Sequence, residues 1–328
     1  MAVDSSRRLR VLFRVAAGPR LGFGHLVRAT VLARAMGVEM VVSLRGSAEA
    51  RRTAKRLGCR VVPGPARALL PTMRPDILVI DDPSGRAAAA WCRSGRSEGV
   101  PVASVHDLGI AYCGADLTID GSVTLAGGRP DGPALLGPRY AILGPRSERV
   151  ARRSRAVLVA LGGGPRAGVA LALARAIRSA CPDVAVRVAA GYAPTRPRPV
   201  VAGVTWLGPQ RGLGRELARA SVAVVAGGCT LYEALRDGTP TVAVSVVPAQ
   251  RPTIRACASA GAALDGGPAA ASAAVRRLVA RLLDDAGLRR QIGATGRSLI
   301  DGRGAARVAR AVATLARTSH RNRPGARA

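Results

Sequence analysis

The chain has 328 residues, 48% of them apolar and 21% charged, which is enough for two globular domains with separate cores and excludes collagen-like or wholly disordered classes. The net charge is +30, yet Lys55 is the sole lysine, so 49 of the 50 basic residues are arginines, spread over all segments rather than along one stripe. Phe, Tyr and Trp total 2%, so the stacking aromatics that accompany basic residues in nucleic-acid modules are missing, and specific nucleic-acid binding is excluded in favour of a GC-rich coding bias.

Retention of DNA or RNA is therefore expected to be weak, independent of sequence and abolished by moderate salt, because counterion release alone would drive it. A mobility-shift assay that finds one sequence preferred near physiological salt would overturn this. The same charge implies weak attraction to anionic membrane surfaces. The six cysteines (Cys59, Cys92, Cys113, Cys181, Cys229, Cys257) are scattered without a Cys-x-x-Cys, which suits neither a metal site nor a disulfide framework and fits a reducing compartment. Met1 to Arg10 is polar and the next apolar run is broken by Arg14, so no signal peptide is expected. No apolar run reaches the ~18 residues of a spanning helix, and a cytoplasmic protein without metal or cofactor is expected.

In chain order, Leu9 to Val15 is apolar and β-prone, and Val27, Val31, Leu32 and Ala35 repeat at helical spacing behind a glycine turn. Strands are expected at Val38–Leu44, Cys59–Val62, Asp76–Asp81, Val100–Val105 and Ala115–Ile119, with helices at Ala48–Leu57 and Ala87–Cys92. Gly121 to Arg153 is rich in Gly, Pro and Arg and reads as a linker. The alternation restarts with strands at Ala156–Leu161, Val184–Ala190, Val204–Leu207, Val222–Ala226, Pro240–Val247 and Ala262–Leu264. The helices expected among them are Val169–Ala180, Leu213–Ala220, Leu231–Arg236 and Thr253–Ala260. Two closing helices are expected near Ala271–Asp284 and Ala305–Arg317, and a disordered basic tail over 318–328. Alternating strands and helices with continuously apolar strands predict two α/β, Rossmann-like parallel-sheet domains, 1–145 and 146–317, facing a cleft.

Ligands of such sheets bind beyond the carboxyl ends of the strands, where three glycine-rich turns fall. The first is Gly22-Phe23-Gly24-His25. Gly22 and Gly24 permit close approach of a ligand to the main chain, and the following helix start favours an anion, placing His25 at the mouth of an anion site. The plainer reading of His25 is a helix cap. The second turn is Gly162-Gly163-Gly164 and the third Gly227-Gly228, each a candidate phosphate cradle. Glu233, one turn into the helix after Gly228, can accept two hydrogen bonds from a ribose diol or simply be a solvated helix residue. Tyr232 reads as core packing, and His106 as a structural loop histidine before a catalytic one.

This constellation resembles the GT-B glycosyltransferase-like superfamily. More closely, it resembles the UDP-sugar hydrolases of pseudaminic acid biosynthesis and related spore-coat polysaccharide proteins. The motifs that carry the resemblance are Val-Leu-Phe-Arg followed by Gly22-Phe23-Gly24-His25-x-x-Arg28, Ile80-Asp81, Leu161-Gly162-Gly163-Gly164, Ala226 to Pro240, and Gln250, together spanning Val11 to Ala260. The resemblance implies that His25 orients or activates the attacking water at the anomeric carbon. It implies that Gly22, Gly24, Arg28 and Asp81 are substrate- or nucleotide-binding residues. It also implies that Gly162 to Gly164, Gly227, Gly228, Thr230, Leu231, Glu233 and Gln250 bind a UDP-sugar. Two positions depart from the family: Asp82-Pro83-Ser84 stands where members carry His-Tyr after the aspartate, and Ala249 where they carry Asn. Three functions stay open: hydrolysis of a UDP-sugar, transfer of its sugar to an acceptor hydroxyl, and non-catalytic nucleotide-sugar binding.

Overall fold

A computed structural model describes residues 8–146, 154–162, 166–191, 199–208 and 212–321. The chain forms two compact units. Among the described residues, the first comprises 8–18, 25–142 and 303–321, and the second 19–24 and 143–302.

The first unit contains β1 (Val11–Ala17), α1 (Gly24–Met36), β2 (Val41–Gly46), α2 (Ala48–Arg56), β3 (Arg60–Val61), α3 (Ala66–Met73), β4 (Ile77–Asp81), α4 (Gly85–Ser97), β5 (Val102–His106), β6 (Leu117–Asp120) and β7 (Ala134–Leu136). Its parallel sheet runs β3-β2-β1-β4-β5-β6-β7. β4, β5 and β6 are buried along their whole length, as expected of strands covered on both faces. Leu12, Leu70, Leu78, Ile80, Trp91 and Val102 form one core. Fully burying each such side chain stabilises by about 1.5–3 kcal/mol, whereas an exposed pair such as Arg60–Glu39 contributes roughly 0–1 kcal/mol, so the core decides the fold.

The second unit contains β8 (Ser154–Ala160), α5 (Ala167–Ala180), β9 (Ala185–Ala189), β10 (Val204–Leu207), α6 (Gly214–Arg219), β11 (Ala220–Ala226), α7 (Cys229–Arg236), β12 (Thr241–Ser245), α8 (Arg251–Ser259), β13 (Leu264–Pro268), α9 (Ser272–Asp284) and α10 (Ala286–Leu299). Its parallel sheet runs β10-β9-β8-β11-β12-β13, over a core that includes Val159, Leu173, Ile177, Val186, Val224 and Val242. The final helix, α11 (Gly304–Arg321), groups with the first unit. It buries Ala305, Val308, Ala309, Val312 and Ala316, one face at helical spacing.

Four expectations need correction. Gly121 to Arg153 is not simply a linker: β7 lies in it and adds an edge to the first sheet, too short between Pro133 and Gly137 to leave a periodic signature. α3 escapes sequence reading because Pro71 lies inside it, and its end is marked by Arg74 at φ +45°. Three helices rather than two close the chain, α10 being the addition. Its Gly293 and Gly296 weaken the helical pattern but let it pack on α7: a Cβ at Gly293 would stand 2.6 Å from the Gly238 carbonyl oxygen. Gly293→Ala is expected to lower stability by about 1–3 kcal/mol in a urea melt, since backbone cannot yield as a side chain can. Finally, helix α11 runs to Arg321, so the expected tail is helical over its first four residues, and 322–328 lie outside the described residues.

Candidate active site

In the first sheet the chain moves outward from β1 to β2 and β3, then returns to lay β4 on the other side of β1, so the switch point lies between β1 and β4. Crevices of this kind hold ligands in open α/β sheets. β1 leads into the turn at Gly22, whose φ of +83° favours glycine, and then into α1. α1 carries His25 in its first turn and Arg28 at the start of its second. Asp81 is the last residue of β4, and Asp107 follows β5 directly.

These four side chains meet. His25 Nδ1 lies 2.8 Å from Asp81 Oδ1. Arg28 donates from Nε to Asp81 Oδ2 at 2.7 Å and from Nη2 to Oδ1 at 2.7 Å. It also donates from Nη1 and Nη2 to Asp107 at 2.7 and 3.0 Å. Burial works to raise the Asp81 carboxyl, but Arg28 and then His25 overcome it and hold it well below the usual carboxylate range. Asp107 is lowered as well, again by Arg28 against burial, although half of its side chain is exposed. An ionised Asp81 can only accept, so His25 carries its proton on Nδ1 and donates it there, and Arg28 Nη2 at 3.1 Å from Nδ1 is a close contact. In the neutral ring Nε2 then carries the lone pair, and it has no hydrogen-bond partner among the described residues. The His25 side chain is 18% exposed. The chemistry this permits is removal of a proton by Nε2. One arginine against two carboxylates leaves one net negative charge to stabilise the imidazolium that forms.

Asp107 is the residue that sequence reading missed. The signal was present, because it stands at the carboxyl end of the strand beside β4, as Asp81 does on β4 itself. Asp82, at one of the two departures from the hydrolase family, is spoken for: its buried carboxylate accepts from Arg45 Nε at 2.9 Å and from the Ser84 N–H at 3.0 Å, and it pairs with Arg14.

In the second sheet the switch point lies between β8 and β11. Gly162, at φ +90°, follows β8, while Gly163 and Gly164 lie outside the described residues. Gly227 and Gly228 follow β11. Gly227 is demanded by packing, since a Cβ there would meet Ile254 Cγ1 at 2.7 Å. Gly228 is the N-cap of α7 and supplies no side-chain cap, leaving the helix start to other acceptors. Thr230 lies in that first turn. Leu231 is placed differently from the role implied for it: its side chain is fully buried and its N–H bonds the Gly228 carbonyl. Gln250 caps its own turn, its side-chain oxygen accepting from the Val246 N–H at 2.9 Å. Glu233 is half-buried one turn into α7. Burial pushes it up to about 7, partly opposed by Arg236, and no donor bonds its carboxylate among the described residues. Also among the described residues, no group of three or more His, Cys, Asp or Glu could hold a metal, and no helix is long and apolar enough to cross a membrane.

No family model and no curated protein matches the chain. Solved structures do. MnaA of S. aureus, in a co-structure with UDP, superposes with a TM-score of 0.65 at 12% identity, covering 96% of this chain and 99% of that one. MurG of Acinetobacter baumannii gives 0.63 at 15% identity, over 93% and 99%. The glycosyltransferase SnogD from Streptomyces nogalater gives 0.66 at 18% identity, over 94% and 100%. With its two parallel-sheet α/β units, the chain has the GT-B fold.

Proposed function

We propose that this GT-B chain is an enzyme acting on a UDP-linked sugar, and that His25 Nε2 takes the proton of the hydroxyl that attacks the anomeric carbon. The observation that carries the reading is the His25–Asp81–Arg28–Asp107 array: a carboxylate locked in its ionised form fixes the imidazole so that its free nitrogen is the basic one. As the new C–O bond forms, the bond from the anomeric carbon to the β-phosphate oxygen breaks, and UDP leaves as an anion. The Gly227 and Gly228 N–H groups are spent on the Val244 and Ala226 carbonyls, so the donors suited to that charge are the Thr230 N–H in the first turn of α7 and the turn at Gly162. Glu233 takes the ribose diol.

Between transfer and hydrolysis, Asp82 favours transfer. It replaces one of the residues implied to hold the sugar or water in the hydrolases, and its oxygens are committed to Arg45, Arg14 and Ser84. An acceptor hydroxyl then takes the place of water. Incubating the protein with UDP-sugars, with and without acceptor alcohols, and measuring UDP tests both. Release that requires an acceptor supports transfer, and release without one supports hydrolysis. No release and no binding of any nucleoside diphosphate would sink the proposal.

Glu233 supplies a pH dependence. Two donors from a ribose favour its carboxylate, so binding needs the ionised form. From a folded value of about 7, UDP affinity is expected to rise with pH, roughly tenfold per unit below 7, and to level above it. Glu233→Gln should bind more weakly and flatten that part of the profile, with calorimetric titration as the check. An unchanged slope in the variant assigns the titration to the phosphate and removes Glu233 from the ribose.

A further inference from the structure

The carboxyl edge of the first sheet carries a second charged group, which the His25 array does not use. Asp81 and Asp82 are consecutive at the tip of β4, and successive side chains of an extended chain point to opposite faces. Asp81 takes His25 and Arg28, whereas Asp82 takes Arg45, one residue before the end of β2. In the order β2-β1-β4, the Arg45–Asp82 pair passes over the end of β1, where Arg45 lies in register with Ala16. Arg14, on the same face of β1 as Ala16, donates from Nη1 to Ser43 Oγ at 3.2 Å, and its guanidinium stands 5.0 Å from the centre of the Trp91 ring. Its buried Nε lies 3.4 Å from Asp82 Oδ2 and makes no hydrogen bond among the described residues.

We propose that the acceptor of the sugar carries an anionic group, a carboxylate or a phosphate, and that Arg45 binds it. This rests on the transfer reading above. The crevice between β1 and β4 then has the base on one side and a cation on the other. A hydroxyl held at His25 Nε2 and an acid held at Arg45 together select the acceptor.

Charge and hydrogen bonding both leave room for an anion. Two guanidinia, Arg14 and Arg45, face the single Asp82 carboxylate, so this group is net positive where the His25 array is net negative. Burial lowers the Arg14 guanidinium, Asp82 opposes that, and Arg45 adds to it, so the two cations repel each other in a half-buried place. Asp82 engages Arg45 through Nε and Nη2, which leaves Arg45 Nη1 without a hydrogen bond among the described residues. The Arg45 side chain is 40% exposed and that of Arg14 12%, so Arg45 is the one a ligand meets. Guanidinium N–H groups match carboxylate and phosphate oxygens, and a second anion beside Arg45 offsets the repulsion that Asp82 alone does not. The orphaned Arg14 Nε points the same way, because buried donors without acceptors are rare in folded chains.

The test uses the full chain and three small alcohols: glycerol, glycerate and glycerol phosphate. Their binding is measured by calorimetric titration on the parent, on Arg45→Met, and on Arg290→Met, which removes an exposed arginine of α10 and changes the net charge equally. In the parent, glycerate or glycerol phosphate is expected to bind about tenfold or more tighter than glycerol, and Arg45→Met to bring the three within roughly twofold. Arg290→Met should keep the preference. Whichever anion is preferred names the group as carboxylate or phosphate. Equal binding of all three by the parent would overturn the site, a comparison that stands even if Arg45→Met fails to fold. A preference that survives Arg45→Met, or that Arg290→Met also removes, would take Arg45 out of it. These results do not depend on turnover, whereas the enzyme reading fails separately, by the absence of any UDP release and of nucleoside diphosphate binding.

Discussion

Replacing His25 by asparagine is expected to lower turnover of a UDP-sugar by about 10²–10⁴-fold, the usual contribution of a positioned general base. UDP affinity and melting temperature should stay near parental. The asparagine amide can still donate to Asp81 Oδ1, as Nδ1–H does at 2.8 Å, so the locked carboxylate keeps its partners. What disappears is the lone pair on Nε2. The variant separates three roles, because a cap or packing residue would lower the melting temperature and leave turnover per folded molecule unchanged. A binding protein would show no turnover even in the parent. Near-parental turnover in a folded His25→Asn chain would end the assignment of His25 as the base.

Arg28→Met is expected to cost stability, about 3–5 kcal/mol at neutral pH, because it strands the buried Asp81 charge that it now neutralises. The loss should sit toward the lower end, since Asp107 is half in water and His25 remains beside Asp81. The pH dependence follows from the sign of the shift. With Arg28 present, the folded carboxyl is depressed, so its contribution is full above the unfolded value near ~3.9 and fades only as pH falls through the lower folded value. Without Arg28, burial dominates and raises the folded carboxyl, so Asp81 binds a proton more readily when folded. The gap between parent and variant should therefore be widest at pH 7 and narrow toward pH 4 in urea melts. A gap that stays constant over that range would mean that the guanidinium acts through packing of its stem alone.

Much of this site was legible beforehand. The strand, glycine turn and helix around Gly22 and His25 follow from local pattern, and Ile80-Asp81 at the end of an apolar run marks a strand tip. The general rule for open parallel sheets then brings both to one crevice. The partnership itself was not legible. Nothing local says that Asp107, some 80 residues after Arg28, completes its fork, because the pairing depends on β5 lying beside β4. The second unit shows the complementary difficulty. Leu231 and Gln250 sit within motif-like segments, but one fills the core and the other caps its own turn, roles that only packing reveals. Helices α3 and α10 were hidden for opposite reasons, one by a proline the helix tolerates, the other by glycines needed for close approach.

The placement of α11 bears on how the polypeptide becomes a protein as it leaves the ribosome. Residues 8–142 emerge first but lack the helix that covers part of their core, since Val308, Val312 and Ala316 are buried in that unit. Residues 143–302 emerge next and hold nearly the whole of their own unit within one continuous stretch. At roughly 5–20 residues per second, the first unit waits on the order of ten seconds or more with an apolar face uncovered, while the later-made unit has what it needs to close. Vectorial synthesis thus runs against the order of completion: the half bearing His25 is begun first and sealed last.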